Sequence, residues 1–159
     1  MEIWKDIYFV DFEGVEHDYR GKYQVSNKGR VRSLDYTKTY VNNGTLCSRT
    51  FKGKILSARA THNGYLRVRI WNRPNPPKDF FVHRLVAYMF LKVPKDTSLQ
   101  INHKDENKTN NNVENLEWVS AKENCTYGTR LERIQKTKKR KQMEGVTTTE
   151  SIAIERRSE

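Results

Sequence analysis

Short stretches of alternating apolar and polar residues recur in the first half of the chain, and this period of two is typical of half-buried β-strands. Residues 23–33 contain two such runs, one on each side of the turn Ser-Asn-Lys-Gly. Asn27 and Gly29 in that turn can take the positive φ angles that tight turns need. The pattern predicts a β-hairpin over these residues.

A second hairpin is predicted from residues 53–56 and 65–71, because the Asn-Gly dipeptide at 63–64 favours a primed turn between two strands. In the run 65–71, Leu, Val and Ile alternate with aromatic residues and arginines, so Arg67 and Arg69 share the face opposite the apolar one. That face suits contact with a sugar-phosphate backbone. An ordinary surface strand with solvated arginines explains the pattern equally well.

Residues 84–91 have the period of an amphipathic helix that ends before Pro94. The apolar face consists of Leu85, Val86, Met89 and Phe90. This stripe predicts a helix that packs on the protein core. His83 stands at the head of the helix beside the stripe, and a structural role is expected for it.

Two further strands are predicted at residues 99–103 and 116–119, joined by a polar loop with five asparagines. The sequence Ser-Ala-Lys-Glu that follows matches a capping box and starts a helix at Ser120. This order places His103 at the end of one strand and Asn124 on the helix. Turn-forming roles are expected for Asn107, Asn110, Asn111 and Asn112, and a loop-orienting role for Asp105.

Composition and charge point to a polyanionic partner. The chain has 159 residues, 35% of them hydrophobic, so it can form one ordinary domain or two very small ones with a modest core. The formal net charge of +11 is concentrated in residues 20–73, which carry +12, and in residues 130–141, which carry +6; residues 74–129 are balanced. Cations in such blocks release condensed counterions when they approach phosphates.

Cysteine usage and hydropathy exclude several classes of protein. Cys47 and Cys125 form no C-x-x-C pair, which argues against a disulfide framework and a zinc clip and fits a reducing cytoplasm. The N-terminus lacks the basic start and apolar run of a signal peptide, and no stretch approaches the ~18 apolar residues that span a bilayer. The sequence predicts a soluble cytoplasmic protein without a membrane partner.

The segment Asn-His-Lys-Asp-x-Asn-Lys-x-Asn-Asn, which begins at Asn102, resembles the motif of the HNH endonucleases, specifically the phage and intron-associated homing type. The resemblance continues in Asn-Leu-Glu-Trp-Val at 115–119 and Glu-Asn at 123–124. The run Val-His-Arg-Leu-Val-Ala at 82–87 is similar to the helix that precedes the nuclease motif in those proteins. We therefore expect the gene to be phage- or intron-borne and the protein to act in a bacterial host.

Upstream, Trp-Lys-Asp-Ile at 4–7 and residues 23–33 resemble a small DNA-binding module often joined to these nucleases. The whole resemblance covers residues 3–128. It implies an α+β fold with an antiparallel N-terminal module, a ββα-metal nuclease motif and a basic C-terminal helix. The expected segments are the module at 1–73, the nuclease at 74–128, the helix at 129–145 and a disordered tail at 146–159.

The resemblance also implies roles for individual residues. His103 matches the general base toward the attacking water, which suits an imidazole with a pKa near about 6.5. Asn115 matches the central asparagine, whose amide can hydrogen-bond across the loop and hold the histidine in one orientation and tautomer. Asn102 and Asn124 match metal-binding positions, although many relatives have aspartate in place of Asn102. Oxygen ligands imply a hard divalent ion, Mg²⁺ or Mn²⁺.

The predicted function is hydrolysis of phosphodiester bonds in double-stranded DNA. The residues expected to contact DNA are Asn27, Lys28, Arg30, Arg32, Lys54, Arg59, Arg67, Arg69, Arg130 and Arg133. Two alternatives stay open: a non-catalytic DNA-binding regulator, which Asn102 in place of an acid supports, and an RNA-binding basic protein, because charge alone does not distinguish RNA from DNA. The sequence leaves the oligomeric state and the target site open.

Overall fold

A computed structural model of the protein describes residues 1–72, 74–128, 135–137 and 139–140. The chain divides into two units, Met1–Val119 and Ser120–Glu159. The helices are α1 (Val82–Phe90) and α2 (Ala121–Thr126), with a 3-10 turn at Val113–Asn115. The strands are β1 (Trp4–Asp6), β2 (Tyr8–Val10), β3 (Glu16–Asp18), β4 (Tyr23–Ser26), β5 (Val31–Ser33), β6 (Tyr36–Asn42), β7 (Thr45–Phe51), β8 (Arg59–Ala60), β9 (Leu66–Asn72), β10 (Asn75–Phe81), β11 (Gln100–His103) and β12 (Leu116–Val119). The expected α+β class is confirmed.

The hairpin predicted at residues 23–33 is confirmed. Strands β4 and β5 pair antiparallel, with Val25 opposite Val31, and β1 adds to the other edge of β4. In the turn, the N–H of Gly29 donates to the carbonyl oxygen of Ser26 at 3.0 Å, and Gly29 has a φ of +78°. Among the residues of this turn the left-handed backbone falls on Gly29 and not on Asn27.

The second predicted hairpin is only half right. The strand at 65–71 exists as β9, but its partners are β10 and the two-residue strand β8, while Ile55 bridges to Arg32. The turn before β9 is also not primed, because the positive φ falls on Gly64 alone and Gly64 donates to the carbonyl oxygen of Thr61. This is a type I turn followed by a left-handed glycine, the usual three-residue hairpin loop.

Strands β6 and β7 form a two-stranded ribbon that the sequence analysis did not predict. Seven residue pairs hold it together, from Tyr36 opposite Phe51 to Asn42 opposite Thr45. Its turn is the primed kind, since Asn43 and Gly44 both have positive φ angles. Most of its side chains are exposed on both faces, so it lacks the alternation by which half-buried strands are recognised.

Helix α1 lies at the centre of the first unit, against β2, β4, β9, β10, β11 and β12. The predicted apolar stripe is confirmed, because Leu85 and Val86 are fully buried and Met89 and Phe90 pack on the core. The buried apolar residues are Ile7, Phe9, Tyr19, Val25, Val31, Val68, Ile70, Val82, Leu85, Val86 and Leu116. Residues before and after position 73 therefore share one core, and the boundaries expected for the segments stay predictions.

The predicted order of strand, loop, strand and helix is confirmed in β11, β12 and α2. Strands β11 and β12 pair antiparallel from Gln100 opposite Val119 to His103 opposite Leu116. The capping box at the start of α2 is also present: the N–H of Glu123 donates to Oγ of Ser120, and the N–H of Ser120 donates to the carboxylate of Glu123. These local signals are strong because a cap needs only residues three apart.

Part of the predicted C-terminal helix can be followed. Residues 135–137 and 139–140 are helical. Arg130, Arg133 and the tail at 146–159 lie outside the described residues. Within the part of the chain that the structure describes, no helix has the length and apolar character needed to cross a membrane.

Candidate functional site

His103 is the last residue of β11 and is almost completely buried, with 4% of its surface exposed. Burial lowers the pKa of the imidazole from its ordinary value, and this effect outweighs the hydrogen bond with Asn111, which raises it. The ring is therefore neutral at pH 7. A neutral imidazole is the form that can accept a proton.

One nitrogen of this ring is held by Asn111, whose Oδ1 lies 3.1 Å from Nε2 of His103. The orientation of the Asn111 amide is fixed, because its Nδ2 donates to the carbonyl oxygen of Thr109 at 3.2 Å. Since Oδ1 can only accept a hydrogen bond, Nε2 of His103 carries the proton and Nδ1 carries the lone pair. The basic atom of this histidine is therefore Nδ1.

Asn111 makes the direct contact with His103, whereas Asn115 forms the hydrogen bonds across the loop that were expected of it. The Nδ2 atom of Asn115 donates to Oδ1 of Asp105 at 2.8 Å and to the carbonyl oxygen of Asn110 at 2.9 Å. Its Oδ1 accepts from the N–H of Asp105 at 3.0 Å. The side chain of Asn115 thus ties the two sides of the loop together. It can affect the orientation of His103 only through the conformation of the loop.

Asp105 is the acceptor at the centre of this loop. Its Oδ2 accepts from Nδ2 of Asn110 at 2.7 Å, and its Oδ1 accepts from the N–H of Asn107 at 2.9 Å as well as from Asn115. These bonds, with that from Asn110 foremost, hold the pKa of the carboxyl group below its ordinary value. Asp105 is therefore ionised at neutral pH and orients the loop, as expected.

Asn102 lies beside His103 on β11 and is also buried. Its Nδ2 donates to Oε1 of Glu117 on the paired strand at 3.0 Å. Because a carboxylate only accepts, the amide nitrogen of Asn102 is committed to Glu117, and the carbonyl oxygen Oδ1 is the atom that can bind a cation. Within the described ranges, no group of three or more His, Cys, Asp or Glu residues could hold a metal ion.

Asn124 belongs to the second unit, where it is the fourth residue of α2. Its backbone N–H donates to the carbonyl oxygen of Ser120 at 2.9 Å, which is the first regular bond of the helix. The capping box below it fixes the start of α2. The structure thus confirms that Asn124 is helical, and its role as a metal ligand stays a prediction.

A second histidine, His83, lies next to His103 with 5.3 Å between the ring centroids. Tyr65 and Phe81 pack against His83 at 4.9 and 5.5 Å. Burial, followed by the charges of His103 and Arg84, lowers the pKa of His83 from 6.5 to about 3. Its Nδ1 atom is buried without a hydrogen-bond partner among the described residues.

Three residues that surround His103 were not connected with it from the sequence: Tyr65, His83 and Asn111. The structural role expected for His83 stays a prediction, and its spacing of three and four residues from the buried Val86 and Ala87 places it on the buried face of α1. That spacing was the available signal. For Asn111 there was none, because it is one of five asparagines in a loop without periodicity.

The cationic face predicted around β9 is present. Arg67 and Arg69 are exposed while Val68 and Ile70 are buried, and Arg59 stands opposite Arg67 in the register. Asp79 bridges the two arginines of β9, at 2.7 Å from Nε of Arg69 and 3.4 Å from Arg67. Beside this face lies a cavity of about 660 Å³ whose lining includes Lys54, Tyr36, Phe51 and Trp71.

The predicted DNA-contacting residues of the first hairpin are partly engaged within the protein. The side chain of Asn27 accepts from the N–H of Ile3 at 2.8 Å. Arg32 lies over the ring of Trp4 at 4.1 Å and donates to Gln24, and Arg30 pairs with Glu2. Lys28 in the turn is exposed.

Two family comparisons cover most of the first 125 residues. Residues 2–71 match the NUMOD4 motif, and residues 80–125 match the HNH endonuclease family. The second match contains helix α1 and runs from β11 into α2, as far as Cys125. The chain therefore belongs to the HNH endonuclease family, and HNH endonucleases generally use a divalent metal ion.

Individual relatives of the chain include a DNA endonuclease of a Bacillus phage and an HNH endonuclease of a mimivirus. The chain is 36% identical over 121 residues to the DNA endonuclease I-HmuI of Bacillus phage SP01, covering 76% of this chain and 54% of that protein. It is 32% identical over 124 residues to the uncharacterized HNH endonuclease L245 of Acanthamoeba polyphaga mimivirus, covering 78% of this chain and 29% of that protein.

A solved structure, titled as DNA binding and cleavage by the HNH homing endonuclease I-HmuI, superposes on this fold with a TM-score of 0.53. The sequence identity is 32%, and the match covers 86% of this chain and 68% of that chain. The expected resemblance to HNH homing endonucleases is thus confirmed. The chain spans about half the length of the I-HmuI protein and less than a third of the mimivirus relative.

Proposed function

We propose that the protein hydrolyses phosphodiester bonds in double-stranded DNA, with His103 as the general base. The observation that carries this proposal is the state of His103: it is neutral, and Asn111 fixes its proton on Nε2. Nδ1 takes a proton from the attacking water as the water bonds to phosphorus. The bond between phosphorus and the 3′ oxygen then breaks, and the leaving oxygen takes a proton from solvent water, giving a 5′ phosphate and a 3′ hydroxyl.

A divalent ion fits beside this histidine if it is held by oxygen ligands. Oδ1 of Asn102 would supply one, because the amide nitrogen is already bonded to Glu117. Asn124 is the second expected ligand from the family motif, and the scissile phosphate supplies further oxygens. Such a set suits Mg²⁺ or Mn²⁺. When bound, the ion supplies positive charge that stabilises the phosphoryl oxygens and the leaving oxygen.

The cationic faces support duplex DNA as the substrate. Arg59, Arg67 and Arg69 point outward from one sheet, and Lys54 lines the cavity beside them. Asp79 offsets one charge of this group, so it keeps an excess of cations. Each phosphate contact made by this face releases counterions, and binding is expected to weaken steeply as salt rises.

The direct test is cleavage of supercoiled plasmid DNA by the purified protein. We expect nicked or linear product with Mg²⁺ or Mn²⁺ and none with EDTA, because the ion carries part of the charge stabilisation. End-labelling of the product is expected to show the 5′ phosphate. Metal-independent binding without product on a denaturing gel would instead identify a DNA-binding regulator, and preference for structured RNA at matched salt would identify an RNA-binding protein.

Asn102→Asp tests the metal position. The carboxylate of the variant would carry a negative charge toward the metal ion, but it cannot donate the hydrogen bond that Asn102 gives to Glu117. Two carboxylates would then lie side by side in place of a hydrogen-bonded amide and carboxylate. We expect the Mn²⁺ concentration at half-maximal cleavage to fall by about tenfold or more. The two carboxylates of the variant attract the ion more strongly than the amide and one carboxylate of the wild type.

The matched variant is Asn102→Ala, which removes the oxygen and is expected to raise that concentration. An unchanged Mn²⁺ dependence in both variants would show that position 102 does not touch the ion. Thermal unfolding of Asn102→Asp without metal serves as the control for folding, since repulsion with Glu117 is expected to destabilise that variant until metal is added.

A further inference from the structure

The turn between β4 and β5 lies directly against the loop that carries the nuclease motif. A β-carbon built on Gly29 would come within 2.7 Å of Cβ and 3.0 Å of the carbonyl oxygen of Asn111. Two residues further along the loop, the N–H of Val113 donates to the carbonyl oxygen of Asn27 at 2.9 Å. The turn thus contacts the loop by close packing and by a backbone hydrogen bond.

Asn111, the residue under this turn, is only 3% exposed. Both ends of its side chain are engaged: Oδ1 accepts from Nε2 of His103, and Nδ2 donates to the carbonyl oxygen of Thr109. Gly29 lies so close to Asn111 that a β-carbon at position 29 has no room, and a displacement of Asn111 would disturb its contact with the histidine.

We propose that Asn111 is the positioning residue of His103 and that the turn at Gly29 holds Asn111 in place, so that the N-terminal sheet is a working part of the hydrolytic site. Asn111 acts through the histidine and does not touch the phosphate. Glycine is required at position 29 for two reasons, its φ of +78° and the absence of room for a β-carbon. The role in cleavage rests on the proposed function, but the fixed tautomer of His103 does not.

The contact between Asn111 and His103 is tested by Asn111→Ala and Asn111→Asp. Alanine removes the acceptor, and we expect kcat to fall about 10- to 100-fold with little change in KM, as for loss of a partner that orients a catalytic ligand. Aspartate keeps the acceptor toward Nε2 but loses the donor to the carbonyl oxygen of Thr109, so it is expected to recover only part of the activity that Asn111→Ala loses. Asn112→Ala removes a neighbouring amide that bonds only within the loop, and we expect its kcat to stay within about twofold of the wild type.

A spectroscopic measurement on the free protein separates positioning from general loop damage. Two-bond ¹H–¹⁵N correlation of histidine-labelled protein distinguishes the Nε2–H from the Nδ1–H tautomer. We expect His103 to be held as Nε2–H in the wild type and in Asn112→Ala, and to become a mixture of tautomers in Asn111→Ala. This measurement needs neither DNA nor metal, so it decides the positioning role even if the protein fails to cleave.

The support from the turn is tested by Gly29→Ala against Gly14→Ala. Gly14 has nearly the same backbone angle, φ +79°, and the same turn hydrogen bond, but nothing lies within 4 Å of the β-carbon it would carry. Both variants impose the same backbone strain, and only Gly29→Ala displaces Asn111. We expect kcat to fall by about tenfold or more in Gly29→Ala and to change by less than about twofold in Gly14→Ala.

Equal kcat values in the two glycine variants, each measured below its unfolding temperature, would overturn the role of the turn. A wild-type Nε2–H tautomer that persists in Asn111→Ala would overturn the role of Asn111. If Gly29→Ala does not fold, the question is decided by Val113→Pro, which removes the hydrogen bond to Asn27. Val113→Ala is its control, because it also loses the valine side chain that packs on the core but keeps the hydrogen bond. A lower kcat in Val113→Pro than in Val113→Ala supports the proposal, and equal values oppose it.

Discussion

Replacing His103 with alanine is expected to lower the rate of DNA cleavage by about 10²- to 10⁴-fold, the usual contribution of a positioned general base. The reason is the state of the ring: it is neutral at pH 7 because burial lowers its pKa, and its lone pair is fixed on Nδ1. Initial rates of nicking of supercoiled plasmid, at saturating Mg²⁺ and protein, measure the loss.

The matched control is His62→Ala, because His62 is an exposed histidine in the turn before β9. Its activity is expected to equal that of the wild type. DNA binding, measured separately in a gel shift without metal, is expected to stay unchanged in His103→Ala. Cleavage by His103→Ala at the wild-type rate would remove this residue from the mechanism.

His83 is expected to make the protein lose stability as the pH falls below about 6.5. Its pKa is lowered to about 3 in the folded protein, while in the unfolded chain it is near 6.5. The unfolded state therefore binds the proton more readily between these values, and the folded state becomes less favoured as acid is added. The loss is about 1.4 kcal/mol for each pH unit, or about 2 to 3 kcal/mol by pH 4.5. His103 acts in the same direction.

His83→Phe keeps an aromatic ring between Tyr65 and Phe81 but has no proton to bind, so its stability is expected to depend much less on pH between 6.5 and 4.5. Urea unfolding at a series of pH values gives the comparison, with His62→Phe as the control that is expected to follow the wild type. His83→Gln serves if the phenylalanine does not pack. If the free energy of unfolding depended on pH equally in the wild type and in His83→Phe, the pKa of His83 would not be lowered in the folded protein.

The sequence was most informative where the structure depends on neighbours along the chain. The capping box of Ser120 and Glu123 and the apolar stripe of α1 could be predicted because each is set by residues three or four apart. The alternation of buried and exposed residues in β9 was likewise visible. These features place His103 at the end of a strand and Asn124 on a helix.

Features that depend on tertiary contacts could not be predicted in this way. The strand before β9 was assigned to residues 53–56. The true partner, β8, has only two residues, which is too short to show an alternation of apolar and polar positions. Asn111 was grouped with the turn-forming asparagines, since nothing in the loop distinguishes the one that meets a histidine eight residues away. The ribbon of β6 and β7 was missed although Asn43 and Gly44 mark its turn.

The shared core around α1 bears on how these proteins can exchange parts during evolution. The NUMOD4 match ends at residue 71 and the HNH match begins at residue 80, so the two segments could be recombined at the junction between them. Val25 and Val31 on one side, however, are buried together with Leu85 and Val86 on the other. A recombinant keeps its fold only if both parents fill that space alike. Packing alone is therefore expected to favour inheritance of the two segments as a pair.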